Sequence, residues 1–313
     1  MRFRQLGRSG LRVSEVGLGC NNFGGRLEFE PSKEVILAAF ESGINLFDTA
    51  DIYGGNGASE EIMGEVIKPF RHEVVLATKF GMDMGDRDIA RGSRKYMMKA
   101  LEGSLRRLQT DHIDLYQLHQ PDPLTPIEET LAALTDAVHQ GKIRYIGSSN
   151  FAGWQLVEAE LLARSLGAER FISAQNHYSI LERSVEVELI PAASNYGVGI
   201  LPFYPLASGL LTGKFRRGEA PAAGTRLASR PEQLGSAEWD LIGRLEVWAK
   251  GHDMELLDLA FAYLLGEPQV GSVIAGATSR AQVQRNVATQ AHVLTVAERD
   301  EVRACIGDTQ SAK

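Results

Sequence analysis

The feature that most constrains this chain is a repeat. Eight short apolar, β-rich runs begin near Val16 (VGLG), Ile44 (INLFD), Val74 (VVLATK), Ile113 (IDLYQLH), Arg144 (RYIGSS), Phe171 (FISAQ), Val198 (VGILPFY) and Gly271 (GSVIAG). Their starts lie 27 to 39 residues apart as far as Val198, and the last interval is 73. Between them run stretches whose apolar residues recur at helical spacing, such as Val35, Ile36, Ala39 and Phe40, or Leu131, Leu134, Ala137 and Val138. These stretches are 31–42, 59–68, 93–108, 126–140, 153–166 and 182–195. Pro31 and Pro126 stand at helix starts, where a missing N–H costs nothing. Gly43, Gly141 and Gly167 follow helix ends, where a left-handed cap is wanted.

A strand, a helix and two loops need about 30 residues, so the pattern is a βα unit repeated eight times. Strands buried on both faces read as continuous apolar runs, as these do. The expected fold class is α/β, a (β/α)8 TIM barrel, with an open doubly wound sheet as the alternative. No G-x-G-x-x-G follows any strand, which removes the usual fingerprint of that alternative. Residues 1–14, centred on Gly7-Arg8-Ser9-Gly10, read as an N-terminal β-hairpin. Residues 207–235, rich in Gly, Pro, Ala and Arg, form a long loop, and loops that long are functional or disordered. No linker divides residues 1–313, so one domain is expected.

Composition narrows the function classes. Lys plus Arg number 33 against 40 Asp plus Glu, a net charge of −7, which opposes a nucleic-acid coat. Cys20 and Cys305 match neither a metal spacing nor a disulfide framework, so no metal is expected. The sequence has no apolar run of about 18 residues and its start lacks a signal-peptide core. A cytoplasmic chain with no membrane partner is the expectation; the oligomeric state is left open.

In barrels the active site forms at the C-terminal strand ends. Three successive strands deliver an ionisable group there: Asp48, Lys79 and His119, with Tyr53 a short loop beyond Asp48. Singly each has a plain reading. An Asp after a strand is ordinarily a turn or cap residue, a Tyr a half-buried loop aromatic, a Lys a solvated charge and a His a structural group. Together on adjacent strand ends they suit proton transfer to a carbonyl oxygen. A lysine about 4 Å from a phenol contributes on the order of 4 kcal/mol at an effective dielectric of 20, enough to lower its pKa by as many as about three before desolvation pushes back. Asp48 would keep that lysine charged, and His119 would orient the substrate oxygen.

None of the four donates hydride, so a reduction needs a cofactor. Ser149, Asn150 and Gln175 suit an amide, and Tyr204 a flat ring. Lys214, Arg216, Arg217 and Arg226 place cations in the long loop. Gly276 to Arg280 opens a helix, where a phosphate would meet backbone N–H groups.

These residues resemble the aldo-keto reductase family, on the shape of its bacterial general aldehyde reductases and potassium-channel β-subunit-like branch. The resemblance rests on Gly17-Leu18-Gly19, the run Asn45 to Gly54, Ser59-Glu60, Ala77-Thr78-Lys79, the run Asp114 to Asp122, and Gly147 to Asn150. It continues through Gln175-Asn176, Pro205-Leu206-Ala207, Gly213-Lys214, and Ile274 to Thr278 with Gln282 and Asn286.

It implies reduction of a small aldehyde, ketone or sugar aldehyde with a nicotinamide cofactor, usually NADPH, with NADH as the alternative. Tyr53 would be the proton donor, Lys79 and Asp48 would tune it, and His119 would orient the carbonyl. Gly19, Cys20 and Asn21 would border the cofactor. Ser149, Asn150 and Gln175 would hold its carboxamide, and Tyr204 would stack on its ring. Pro205, Leu206, Ser208, Gly209, Lys214 and Arg226 would wrap the pyrophosphate and ribose. Gly276, Thr278, Gln282, Arg285 and Asn286 would meet the adenosine. Some members carry a lysine at the position of Gly276 to grip a 2′-phosphate, and Arg280 or Arg285 would substitute for it. Few residues follow the last helix, so one pocket wall is expected to be short or to come from a neighbouring subunit. Phe23, Phe80 and Trp154 are then the candidate pocket residues, each equally readable as core. Two other functions compete: a cofactor-binding redox sensor with little turnover, and an aldolase forming a Schiff base on Lys79.

Overall fold

The computed structural model describes residues 1–307 apart from 86, 88, 222–224 and 230. Two strands, β1 (Phe3–Gln5) and β2 (Arg12–Ser14), pair antiparallel as the expected hairpin. The eight expected runs all form strands: β3 (Val16–Gly19), β4 (Leu46–Asp48), β5 (Val75–Phe80), β6 (Ile113–Leu118), β7 (Ile143–Ser149), β8 (Ser173–His177), β9 (Gly199–Phe203) and β10 (Val273–Gly276). They pair in parallel in the order β10-β3-β4-β5-β6-β7-β8-β9. The Ile200 N–H donates to the Gln269 carbonyl at 2.7 Å and the Gly271 N–H to the Ile200 carbonyl at 3.0 Å, which brings the last strand's approach beside β9. The architecture is a (β/α)8 barrel.

The hairpin seats the barrel floor. Leu6 and Val13 are fully buried and join Leu46, Val75, Ala77, Leu115, Leu201 and Ile274 in an interior cluster. Gly7 at φ 58° is required there, because a Cβ would lie 2.6 Å from the carbonyl oxygens of Gly197 and Ile172. The outer core lies between sheet and helices, and Tyr116, Phe47, Phe261 and Ile36 are among its fully buried side chains.

Element edges move where side chains claim the backbone. The second run becomes a strand only at Leu46: the Asn45 N–H is taken by Ser14 Oγ at 3.1 Å, while its carboxamide accepts the Ser14 N–H at 2.7 Å and donates to the Arg12 carbonyl at 3.0 Å. The stretch 182–195 is not one helix: a short turn at Ser184–Glu186 precedes a helix at Leu189–Tyr196. The turn brings the Glu186 carboxylate to the hydroxyls of Tyr178 (2.7 Å) and Tyr263 (2.9 Å). The stretch expected as a loop at 207–235 carries short helical turns at Ala207–Thr212, Arg226–Ser229 and Pro231–Gly235, and two longer helices follow it, Trp239–Gly251 and Leu256–Leu265. Residues 222–224 and 230 of that loop lie outside the described residues.

Candidate active site

Parallel strands aim alternate side chains inward, and layers in such a barrel draw on alternate strands. Asp48 (β4), Gln117 (β6) and Gln175 (β8) form one such layer. The Asp48 Oδ1 accepts from Gln117 Nε2 at 3.1 Å and from Gln175 Nε2 at 2.8 Å. Its Oδ2 accepts from Lys79 Nζ at 2.6 Å. Lys79 is fully buried and also donates to the Thr49 carbonyl at 2.9 Å and to the Tyr53 hydroxyl at 3.3 Å. A carboxylate, an ammonium and a phenol thus share one hydrogen-bonded chain. The His119 ring meets that of Tyr53 edge-on with centroids 5.9 Å apart.

Burial disfavours the lysine cation, but the carboxylate of Asp48 and the phenol outweigh it, so the Lys79 pKa sits above its ordinary value. An amine held protonated is a poor Schiff-base nucleophile, which weighs against the aldolase alternative. The phenol departs from expectation. Desolvation raises the Tyr53 pKa more than Lys79 lowers it, and the Asp48 charge adds to the rise. The lysine therefore limits the rise instead of producing a net fall. His119 is pushed down to about 3, by burial and then by Lys79, so its imidazole is neutral at ordinary pH. Its Nδ1 is buried with no hydrogen-bond partner in the protein. A second buried carboxyl, Asp51, is raised to about 7 by burial and by nearby Glu60, against Arg107 and Lys79.

Above this cluster lies a cavity of about 570 Å³. It is lined by Asp48, Tyr53 and His119 at its inner end. Of the expected cofactor residues, Gly19, Cys20, Asn21, Ser149, Asn150, Gln175, Tyr204, Pro205, Leu206, Ser208, Gly209, Lys214, Arg226, Gly276, Thr278, Gln282, Arg285 and Asn286 all line it as well. The backbone is shaped to do this: Asn150 (φ 59°), Tyr204 (φ 51°) and Ser208 (φ 59°) all adopt left-handed conformations. Asn150 Nδ2 donates to the His119 carbonyl at 2.9 Å and to Ser149 Oγ at 3.2 Å, tying β7 to the His119 loop. Arg226 reaches across the cavity to Asn21 Oδ1 (3.1 Å) and Asn22 Oδ1 (3.2 Å), with its guanidinium 5.3 Å from the Tyr204 ring centroid. Burial and the neighbouring Arg26 lower the Lys214 pKa.

Four expected residues lie elsewhere. Arg280 turns away from the cavity to Glu41, at 2.6 Å on the facing helix. Phe23 is fully buried core. Phe80 is buried and stacks on Tyr116 with centroids 4.8 Å apart. Trp154 is 58% exposed and does not line the cavity. Likewise Arg216 and Arg217 face outward to Glu246 and Asp240, so that among the described residues Lys214 and Arg226 are the loop cations that line it.

Other lining residues escaped sequence reasoning: Asn22, Arg26, Phe203 and Glu255. Gln117 had a signal, since it stands two residues before His119 and so shares its inward phase. Glu255 had none, because it begins a helix inside the long last interval. Among the described residues no group of three or more His, Cys, Asp and Glu is arranged to hold a metal ion, and no helix is long and apolar enough to cross a membrane.

Residues 15–306 match the model of the Aldo/keto reductase family. The chain is 38% identical over 298 residues to an uncharacterized oxidoreductase, YrpG, of Bacillus subtilis (strain 168), covering 92% of this chain and 90% of the relative. It is 35% identical over 300 residues, with the same coverages, to a probable voltage-gated potassium channel subunit beta of Oryza sativa subsp. japonica. The corresponding Arabidopsis thaliana protein is 34% identical over 300 residues. With a family match over nearly its whole length, a (β/α)8 fold and an ionisable cluster at the barrel mouth, the chain belongs to the aldo/keto reductase family of oxidoreductases.

Proposed function

We propose that this protein reduces the carbonyl of a small aldehyde, ketone or sugar aldehyde, with NADPH, or alternatively NADH, as the reductant. The observation that carries the reading is the contact of Lys79 Nζ with the Tyr53 hydroxyl at 3.3 Å, with the lysine anchored on Asp48 at 2.6 Å. The cavity's donor set fits a dinucleotide. Ser149 Oγ accepts from Asn150, leaving its O–H to donate to a carboxamide. The Tyr204 ring offers a flat surface beside it, and Lys214 and Arg226 supply cations for a pyrophosphate. Gly276 lines the cavity with no side chain, and a Cβ there would crowd Asn22 Nδ2 at 3.3 Å.

A nicotinamide held by Ser149, Asn150, Gln175 and Tyr204 would supply the hydride for the carbonyl carbon. The protein handles the oxygen. A neutral His119 donates its remaining N–H to the carbonyl oxygen, polarising and orienting it. As that oxygen becomes an alkoxide, a stronger base than a phenolate, it takes the Tyr53 proton. Lys79 then stabilises the phenolate left behind, and Asp48 keeps Lys79 charged. Because Tyr53 keeps its proton at neutral pH, the donor is loaded before reaction begins.

The test is turnover against a panel of aliphatic, aromatic and sugar aldehydes with either nucleotide. Tyr53→Phe is expected to cut kcat at least about 100-fold while nucleotide affinity changes by less than about two-fold. Near-full turnover in that variant removes Tyr53 from its role. Nucleotide binding by the wild type with no turnover on any carbonyl favours the redox-sensor reading instead.

A further inference from the structure

Reaction at Tyr53 requires the redox end of a dinucleotide to sit at the inner end of the cavity. Its adenosine half must then run to the outer end, lined by Glu255, Thr278, Gln282, Arg285 and Asn286. The two nicotinamide dinucleotides differ there by one group, a ribose 2′-hydroxyl in one and a dianionic 2′-phosphate in the other. Opposite chemistries read them: a carboxylate accepts from the hydroxyl, whereas an arginine pairs with the phosphate. This chain presents one of each, already joined to one another.

Arg285 Nη2 donates to Glu255 Oε2 at 2.8 Å. The same guanidinium forms a two-pronged pair with Asp258, from Nη1 to Oδ1 and Nη2 to Oδ2, both at 2.8 Å. One cation therefore faces two carboxylates before any ligand arrives. His292 stands 3.9 Å from Asp258 and adds a charge only when protonated. The two acids are not equivalent. The Asp258 side chain is 6% exposed and belongs to the fold, while that of Glu255 is 74% exposed. An exposed pair of this kind holds weakly, so the Glu255 carboxylate is free to exchange partners.

We propose that Glu255 is a specificity-determining residue: it occupies and neutralises the Arg285 face that a 2′-phosphate needs, and offers an acceptor to a 2′-hydroxyl. It thereby restrains the preference for the phosphorylated cofactor that an unpaired Arg285 face would create. The inference rests on the dinucleotide reading above.

The experiment is calorimetric titration of the full-length protein with NADP+ and NAD+, with no carbonyl substrate present. Glu255→Gln keeps shape at an exposed position and removes only charge. It is expected to tighten NADP+ binding about five- to ten-fold and to weaken NAD+ binding about two-fold, moving their ratio by about ten-fold or more. Glu255→Gln combined with Arg285→Met is expected to lose the NADP+ gain, because the freed arginine is its source. A ratio that moves by less than about two-fold in Glu255→Gln, or a gain that survives in the double variant, overturns the proposal. If the wild type binds neither nucleotide, the dinucleotide reading falls and takes this one with it. If it binds both and only the ratio stays put, the assignment of Glu255 alone falls.

Discussion

The two ends of the cavity are built on different principles. At the inner end, Asp48, Lys79, Gln117 and Gln175 are buried on β4, β5, β6 and β8, and hydrogen bonds of 2.6 to 3.4 Å link them. At the outer end, Lys214, Arg226, Glu255 and Arg285 come from a loop and helix turns, and these side chains are themselves partly or fully exposed to solvent. A buried charge cannot give up its partner without a large penalty, so the inner end has essentially one arrangement. Exposed charges exchange partners at little cost. Chemistry that needs a fixed proton donor belongs at the first end, and ligand choice, which needs adjustment, at the second.

The sharpest way to break this contrast is at the inner end. Lys79→Met is expected to lower kcat by about 1000-fold, because the Tyr53 phenolate then forms without a cation in a dry site. Steady-state kinetics with saturating nucleotide checks it, and a loss under ten-fold would place the charge stabilisation elsewhere. Asp48→Ala strands a buried ammonium and should cost about 3–5 kcal/mol in urea unfolding at neutral pH. An unchanged midpoint would mean that water reaches Lys79.

A third test uses pH. Asp51 is raised from 3.8 to about 7, so the folded state holds a proton that the unfolded chain releases. Its contribution is fully present below about pH 4 and is lost as pH rises through about 7. His119, lowered to about 3, acts in the opposite sense: its stability is lost as pH falls below 6.5. It is present in both proteins, so it cancels when wild type is compared with Asp51→Asn. The wild type should lose roughly 2–3 kcal/mol relative to that variant between pH 5 and 8. Parallel pH profiles would show that Asp51 is ionised throughout.

The outer end should answer more gently. Arg226→Ala removes charged hydrogen bonds across the cavity and is expected to weaken NADP+ binding about ten-fold, with kcat nearly unchanged. Arg280→Ala should change NADP+ affinity less than about two-fold, since its guanidinium lies outside the cavity, beside Glu41. A larger loss would mean that Arg280 swings inward when nucleotide binds.

How much of this was legible in the sequence follows the same division. The strand runs and their spacing announced the barrel, and strand-end position alone picked out Asp48, Lys79 and His119. Periodicity is a local property, and a strand end points into the mouth whatever its neighbours do. Phe23, Phe80 and Trp154 were each open to two readings, because an aromatic near the mouth packs inward or outward according to contacts its sequence neighbours do not encode. The net direction of the Tyr53 shift was open for a related reason. A lysine's proximity is suggested by sequence order, but the depth of burial that outweighs it belongs to the assembled cavity.

The sequence by itself determined the βα repeat, the N-terminal hairpin and the residue types at the barrel mouth, since these depend on patterns within some thirty residues. Only the tertiary structure decided which partner each charge takes. Arg226 meets Asn21 across 205 residues, and Arg280 meets Glu41 across 239, while Arg285 chooses Asp258 and Glu255 from a helix start with no strand to mark it. Charged side chains on long stems have many partners within reach along the chain, and the packing of distant elements selects among them.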